Sequence, residues 1–294
     1  MMFRVVRRIW GINLLVLMLA CQFRTSVRQM HKEFKGQQTQ PAIVDINVQG
    51  HRLRYVVVNK GPTPKPVVVF VHGAPGSSDN YFQYMRESKL VDNYTLISID
   101  RIGYGYSGFG KSETSIANQA ASLLPVLKRY RNHYPLILVG HSYGGPIIAK
   151  AAANYPELVD GLILLAPAID PDHEKEVKVA WLGHHAPFRW LVPRSWRVSA
   201  DEKITHVSEL RKIENIWSGL RIPILYIQGD KDSLVPYDNI HFAEKMISDK
   251  YLTTISIPGE DHFIPWSQRP LITQSIIAMI TQMMEDKSSD SSGK

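Results

Sequence analysis

The chain has 294 residues, of which 44% are hydrophobic and 21% charged, and a formal charge of +7 at pH 7. That composition excludes a disordered or fibrous chain and leaves room for one large core or two modest ones. The positive balance does not argue for nucleic acid as a partner: Arg4, Arg7 and Arg8 crowd the extreme N-terminus, and without them the balance falls to +4.

Those arginines lead directly into IWGINLLVLMLA, residues 9–20, which is apolar apart from Asn13. A basic start followed by such a run reads as a signal peptide over residues 1–20. The run is shorter than the roughly twenty apolar residues that span a bilayer, and polar Gln22, Arg24 and Arg28 follow it. An uncleaved anchor is therefore the weaker reading. Cys21 is the only cysteine and stands immediately after the run, in LMLAC. This stretch resembles the lipobox of bacterial lipoproteins, with Leu19 where a small residue is usual and Met18 where leucine is. The resemblance implies an exported protein of the bacterial cell envelope, held at a membrane through lipidated Cys21 or through the N-terminal segment itself. With no second cysteine, such a protein must rely on its core rather than on disulfides. Residues 21–41 are polar and basic with no apolar period and read as a tether, and residues 286–294 (DKSSDSSGK) read as a disordered tail.

Between them, short β-rich runs alternate with helical stretches. AIVDINV (42–48) and RLRYVVVN (52–59) predict an antiparallel hairpin with Gly50 near its turn. PVVVFVHG (66–73), YTLISID (94–100), PLILVGHS (135–142), GLILLAPA (161–168), IPILYIQGD (222–230) and LTTISIPG (252–259) are nearly continuous apolar runs, as expected of parallel strands covered on both faces. Residues 113–131, 144–154, 239–250 and 270–285 carry helical spacing and are long enough for crossovers. The expected fold is α/β, a doubly wound, mostly parallel sheet built from residues 42–168 and 221–285. Residues 169–220 interrupt the alternation between the sixth and seventh strands and hold Trp181, Trp190, Trp196 and Trp217. This insertion reads as a helical cap, too small to fold alone, whose Trp181, Phe188, Trp190, Leu191 and Trp196 are expected mostly to pack it onto the sheet, the alternatives being an apolar acyl pocket or a membrane-facing patch.

Gly140-His141-Ser142-Tyr143-Gly144 fits the G-x-S-x-G nucleophile elbow and sits where a strand gives way to a helix. A serine on so sharp a turn needs neighbours without side chains, which gives Gly140 and Gly144 a steric purpose. A serine hydroxyl is a poor nucleophile at neutral pH and requires a base within about 3 Å, itself oriented by a carboxylate. The chain supplies carboxylates in Gly229-Asp230-Lys231-Asp232 and then a histidine in Gly259-Glu260-Asp261-His262-Phe263, both at carboxyl ends of strands.

With HGAPGS (72–77), DRIGYGYSG (100–108), GHSYGG (140–145), GDKDSLVP (229–236) and GEDHF (259–263), the chain is similar to serine members of the α/β-hydrolase superfamily over nearly all of residues 45–285. The resemblance implies Ser142 as nucleophile, Asp232 rather than Asp230 as the acid, and His262 as the base. It also implies an oxyanion hole made by the backbone N–H groups of Tyr143 and Ala74, with His72 buttressing the loop and Arg101 pairing structurally. Serine at the elbow argues against epoxide hydrolases and haloalkane dehalogenases, which use aspartate there. By analogy, the expected activity is that of a carboxylesterase or lipase acting on small or medium acyl esters, with no cofactor. The alternatives are thioester, amide or carbon–carbon bond hydrolysis and acyl transfer.

One rival comes from another class. Gly105 to Ser112 (GYSGFGKS) satisfies the phosphate-binding pattern G-x-x-x-x-G-K-[ST], which would make Lys111 the phosphate ligand of an NTPase. Four residues separate the strand end from the first glycine, and an exported protein meets almost no ATP, so the pattern ranks low. No metal site is expected: His184 and His185 are adjacent, and His206 stands alone in the sequence.

Overall fold

A computed structural model of the chain describes residues 23–292 except 60, 62, 176–183, 186 and 187. The expected signal peptide and Cys21 lie outside the described residues. Eight strands make one sheet: β1 (Ala42–Val48), β2 (His51–Val58), β3 (Val67–Val71), β4 (Thr95–Ile99), β5 (Leu136–His141), β6 (Gly161–Leu165), β7 (Ile224–Gly229) and β8 (Leu252–Ile257). Their spatial order is β1-β2-β4-β3-β5-β6-β7-β8. β1 and β2 form the expected hairpin, β2 runs antiparallel to β4, and every remaining pair is parallel. The hairpin closes at Val48 and His51 through Gln49 and Gly50 at φ 53° and 77°, the double left-handed turn whose twist suits adjacent strands.

The longer helices are α1 (Val27–Glu33), α2 (Ile116–Tyr130), α3 (Gly144–Asn154), α4 (Arg194–Ile213), α5 (Asp238–Met246) and α6 (Arg269–Ser292). Side chains alternate across a strand, so the apolar runs feed two cores. Val67, Val69, Val71, Leu136 and Leu138 pack with α2, α3 and α5. Val68, Phe70, Ile137 and Val139 face the opposite way, toward Met30 of α1 and toward Ile272, Ile276 and Ile280 of α6. α2 begins where the Ser115 side chain accepts the Asn118 N–H, and it buries Ile116, Ala120, Leu123 and Leu127 in one stripe.

Three segments depart from their sequence reading. The stretch expected as a tether contains α1, capped by Ser26, and its Met30 and Phe34 are buried, with Phe34 edge-on to Phe82 at 5.4 Å. The expected tail continues α6 as far as Ser292, because extending a helix that is already nucleated costs little per residue. In the cap, Trp217 is buried, but Trp190 is 72% and Trp196 41% exposed. The cap helix α4 instead buries Asp201, Glu202, His206 and Glu209 alongside Val198, Leu210 and Ile213. The inner side of α4 is therefore as much a polar network as an apolar contact.

Candidate active site

β5 ends at His141 and α3 begins at Gly144, leaving two residues to reverse the chain. Ser142 sits at φ 53°, a left-handed conformation that costs a residue with a side chain about 1–3 kcal/mol. Its backbone is pinned there: the N–H donates to Leu165 at 2.9 Å, and the carbonyl accepts from Gly145 at 2.9 Å and Ala168 at 3.3 Å. A Cβ at Gly144 would come within 2.4 Å of the Val71 carbonyl oxygen, and one at Gly140 within 2.7 Å of the Gly144 carbonyl oxygen. The close approach that the elbow demands is thus the reason for both glycines.

The candidate acid and base arrive on loops after β7 and β8. Asp232 Oδ1 accepts the N–H groups of Leu234 and Val235, each at 2.8 Å, which turns Oδ2 toward His262 Nδ1 at 2.7 Å. Both residues are buried. Asp230 is exposed and accepts the Gly259 N–H instead. Asp261 takes the Phe263 N–H and Glu260 takes the Ser267 hydroxyl, so neither faces the histidine ring. His262 is tied to the elbow through its neighbour: His141 Nε2 donates to the His262 carbonyl at 3.0 Å, and the two rings lie 4.7 Å apart. Burial, together with nearby His262, pushes the His141 pKa well below the ordinary histidine value, so His141 stays neutral.

The loop after β3 closes the other side. A Cβ at Gly73 would lie 2.9 Å from Ser142 Cβ, so this loop lies against the candidate nucleophile. Among the described residues, neither the Ala74 nor the Tyr143 N–H donates to another group. Tyr143 precedes the first turn of α3, where the helix dipole adds partial positive charge.

His72 does buttress this loop. The Arg101 N–H donates to its Nε2 at 3.1 Å, so Nδ1 carries the proton and donates to the Gly73 carbonyl at 2.7 Å. Burial and the Arg101 charge push its pKa well below the usual value. Arg101 donates through Nε to the His72 carbonyl at 2.9 Å and through Nη2 to the Gly73 carbonyl at 3.0 Å. Its guanidinium is also paired with Glu202 of α4 at 2.6 and 3.1 Å. Tyr104 donates its hydroxyl to the same carboxylate at 2.6 Å. One buried cation therefore ties the candidate oxyanion loop to the cap.

Sequence reading did not find Glu202, nor the cap's His206 and Glu174. His206 stacks face to face on the Tyr143 ring at 4.6 Å, and its Nδ1 lies 3.0 Å from Glu174 Oε1. A signal was present: positions 198, 202, 206 and 210 form a single helical stripe, two of whose four members are polar. The stretch resembling a phosphate loop is closed on itself. Gly103 N–H donates to Ser107, Gly110 N–H to Gly103 and Lys111 N–H to Gly108, while Asp100 takes the Tyr106 N–H. Lys111 is exposed. Among the described residues no group of three or more histidine, cysteine, aspartate or glutamate residues could hold a metal ion.

A family model described as alpha/beta hydrolase fold matches residues 66–190. A putative esterase/lipase of Haemophilus influenzae is 31% identical over 120 residues, covering 41% of this chain and 38% of that protein. The chain thus spans little more than a third of the length of the curated relatives it matches first. Among solved structures, a putative aryl esterase from Burkholderia cenocepacia superposes with a TM-score of 0.67 at 18% identity, covering 83% of this chain and all of that one. A membrane phospholipase A described as a bacterial virulence factor gives 0.63 at 17% identity, with 96% of each chain covered. Together with the mostly parallel eight-stranded sheet, these likenesses establish the α/β-hydrolase fold.

Proposed function

We propose that the protein is a serine hydrolase that cleaves carboxylic esters of small or medium acyl groups through an acyl-enzyme. The observation carrying this reading is the buried 2.7 Å hydrogen bond between Asp232 and His262, tied through His141 to the strand–helix elbow that holds Ser142 at φ 53°. With Nδ1–H committed to the carboxylate, His262 Nε2 is left to accept the Ser142 proton as Oγ bonds to the ester carbonyl carbon. The negative charge that develops on the carbonyl oxygen is taken by the Tyr143 and Ala74 N–H groups. His262 returns its proton to the leaving alcohol as the carbon–oxygen bond breaks, and water then attacks the acyl-enzyme by the same route. No cofactor takes part in any of these steps.

The decisive experiment is hydrolysis of short 4-nitrophenyl esters, combined with labelling by a fluorophosphonate probe. Ser142→Ala should lose both, and turnover retained in that variant rejects the assignment. Asp232→Asn should lower kcat by about four orders of magnitude, whereas Asp230→Asn should leave it near wild type. The reverse pattern moves the acid.

The proposed location is a membrane face of a bacterial envelope, with Cys21 acylated after cleavage of residues 1–20. The basic and apolar N-terminal sequence supports this, and no helix among the described residues is long and apolar enough to cross a membrane. Cys21→Ser should release the protein into the soluble fraction, and a variant that stays bound points to the N-terminal run as the anchor.

A further inference from the structure

The cap places one unsatisfied polar atom beside the nucleophile elbow. His206 is 1% exposed, and its Nε2 is a buried atom without a hydrogen-bond partner among the described residues. The rest of the ring is fixed. One face lies on the Tyr143 ring, 4.6 Å between centroids and 29° between planes, and Tyr143 is the residue after Ser142. Nδ1 is held by Glu174, whose carboxylate also pairs with Lys203. The next residue, Lys175, donates to the Ser233 carbonyl at 2.7 Å, next to Asp232. The cap thus touches the elbow that carries Ser142 through the His206 ring and the loop that carries Asp232 through Lys175.

The hydrogen-bond chemistry of the unpartnered ring edge follows from Glu174. Its carboxylate is paired with the Lys203 ammonium, which keeps it ionised. An ionised carboxylate only accepts, so Nδ1 must donate to it. In the neutral ring Nε2 then presents a lone pair, in the ring plane and on the edge turned away from Glu174. A buried acceptor left without a donor costs about 1–3 kcal/mol, and a site built to bond a substrate hydroxyl rejects the analogue that lacks it.

We propose that His206 Nε2 is a substrate-recognition group, which accepts a hydrogen bond from a hydroxyl on the ester bound at Ser142, so that the enzyme selects hydroxylated esters over their deoxy counterparts. This rests on the serine-hydrolase reading above. Glu174 and Lys203 are positioning residues that fix the tautomer and the tilt of the ring. The cap thus acts as a polar selector as well as a cover.

Two matched ester pairs test the proposal. 4-Nitrophenyl 3-hydroxybutyrate against the butyrate places the hydroxyl on the acyl side, and 2-hydroxyethyl butyrate against propyl butyrate places it on the alcohol side. Wild type should favour the hydroxylated member of at least one pair about tenfold or more in kcat/KM. His206→Phe keeps the stacked ring, and His206→Asn keeps a donor toward Glu174. In both variants the ratio should collapse to about one. A fluorophosphonate probe, which carries no hydroxyl, reports separately on the serine. Absence of labelling in wild type overturns the hydrolase reading, and the selector with it. Labelling with no hydroxyl preference in wild type, or with a preference that survives both substitutions, overturns the selector alone and assigns Nε2 to a resident water.

Discussion

Glu202→Gln tests how the cap and the candidate oxyanion loop are held together. Glu202 is fully buried and Arg101 is 1% exposed, and the substitution keeps the shape of the side chain while leaving a guanidinium without a counter-anion. Removing one partner of such a pair costs about 3–5 kcal/mol. At about 2–4 °C per kcal/mol for a chain of this size, the melting temperature should fall by roughly 10 °C. Arg101→Met should cost at least as much, because the His72 and Gly73 carbonyls also lose their donors. In the double variant no unpaired charge remains, so the loss should be smaller than the sum of the two by about 2 kcal/mol or more. Urea unfolding followed by tryptophan fluorescence gives the three differences. Labelling of Ser142 gives the functional arm and should slow most in both variants that lack Arg101, whose bonds hold the loop before Ala74. Additivity of the two single losses within about 0.5 kcal/mol would refute the coupling and, with it, the account of how this loop is held.

Stability should also fall in mild acid. His72 and His141 are neutral in the fold, with pKa values pushed well below 6.5 by burial. Below about pH 6.5 the unfolded chain takes up protons at both rings while the folded chain does not, so each ring removes about 1.4 kcal/mol per pH unit until its folded pKa is reached. Exposed His173, raised by its hydrogen bond to Asp170, acts in the opposite sense. Urea midpoints should change little between pH 7.5 and 6.5 and drop clearly between pH 6.5 and 5.5, and a flat profile contradicts the buried neutral pair. Phe34→Ala should cost about 3–5 kcal/mol and loosen α1, read as faster proteolysis between residues 24 and 41. Cleavage unchanged from wild type means that this segment is not docked.

β3, β5 and β6 were legible because each is a nearly continuous apolar run buried along its whole length, whereas β8, also expected to be covered on both faces, is LTTISI and only half-buried. Ser142, Asp232 and His262 stood out as candidates because each follows a strand and stands in a short pattern whose glycines have a steric purpose. α1 was not, since a seven-residue helix that relies on two apolar anchors, Met30 and Phe34, gives too short a period to separate from polar sequence. Glu202, Glu174 and His206 were hidden for a different reason. Their partners, Arg101, Lys203 and Tyr143, are brought to them by tertiary contacts, and a buried carboxylate cannot be told from a solvated one until those contacts are known. The exposure of Trp190 and Trp196 was misjudged on the same ground, because hydrophobicity says which residues gain from burial and not which ones obtain it.

The candidate base His262 hangs from β8, which lies at the margin of the sheet and is hydrogen-bonded to β7 alone. The candidate nucleophile Ser142 hangs from β5, clasped by β3 and β6. Strands with a single neighbour open at lower free energy than those in the middle. Warming should therefore disconnect the imidazole while the serine still rides on intact structure, and the proposed activity should fade ahead of the fold.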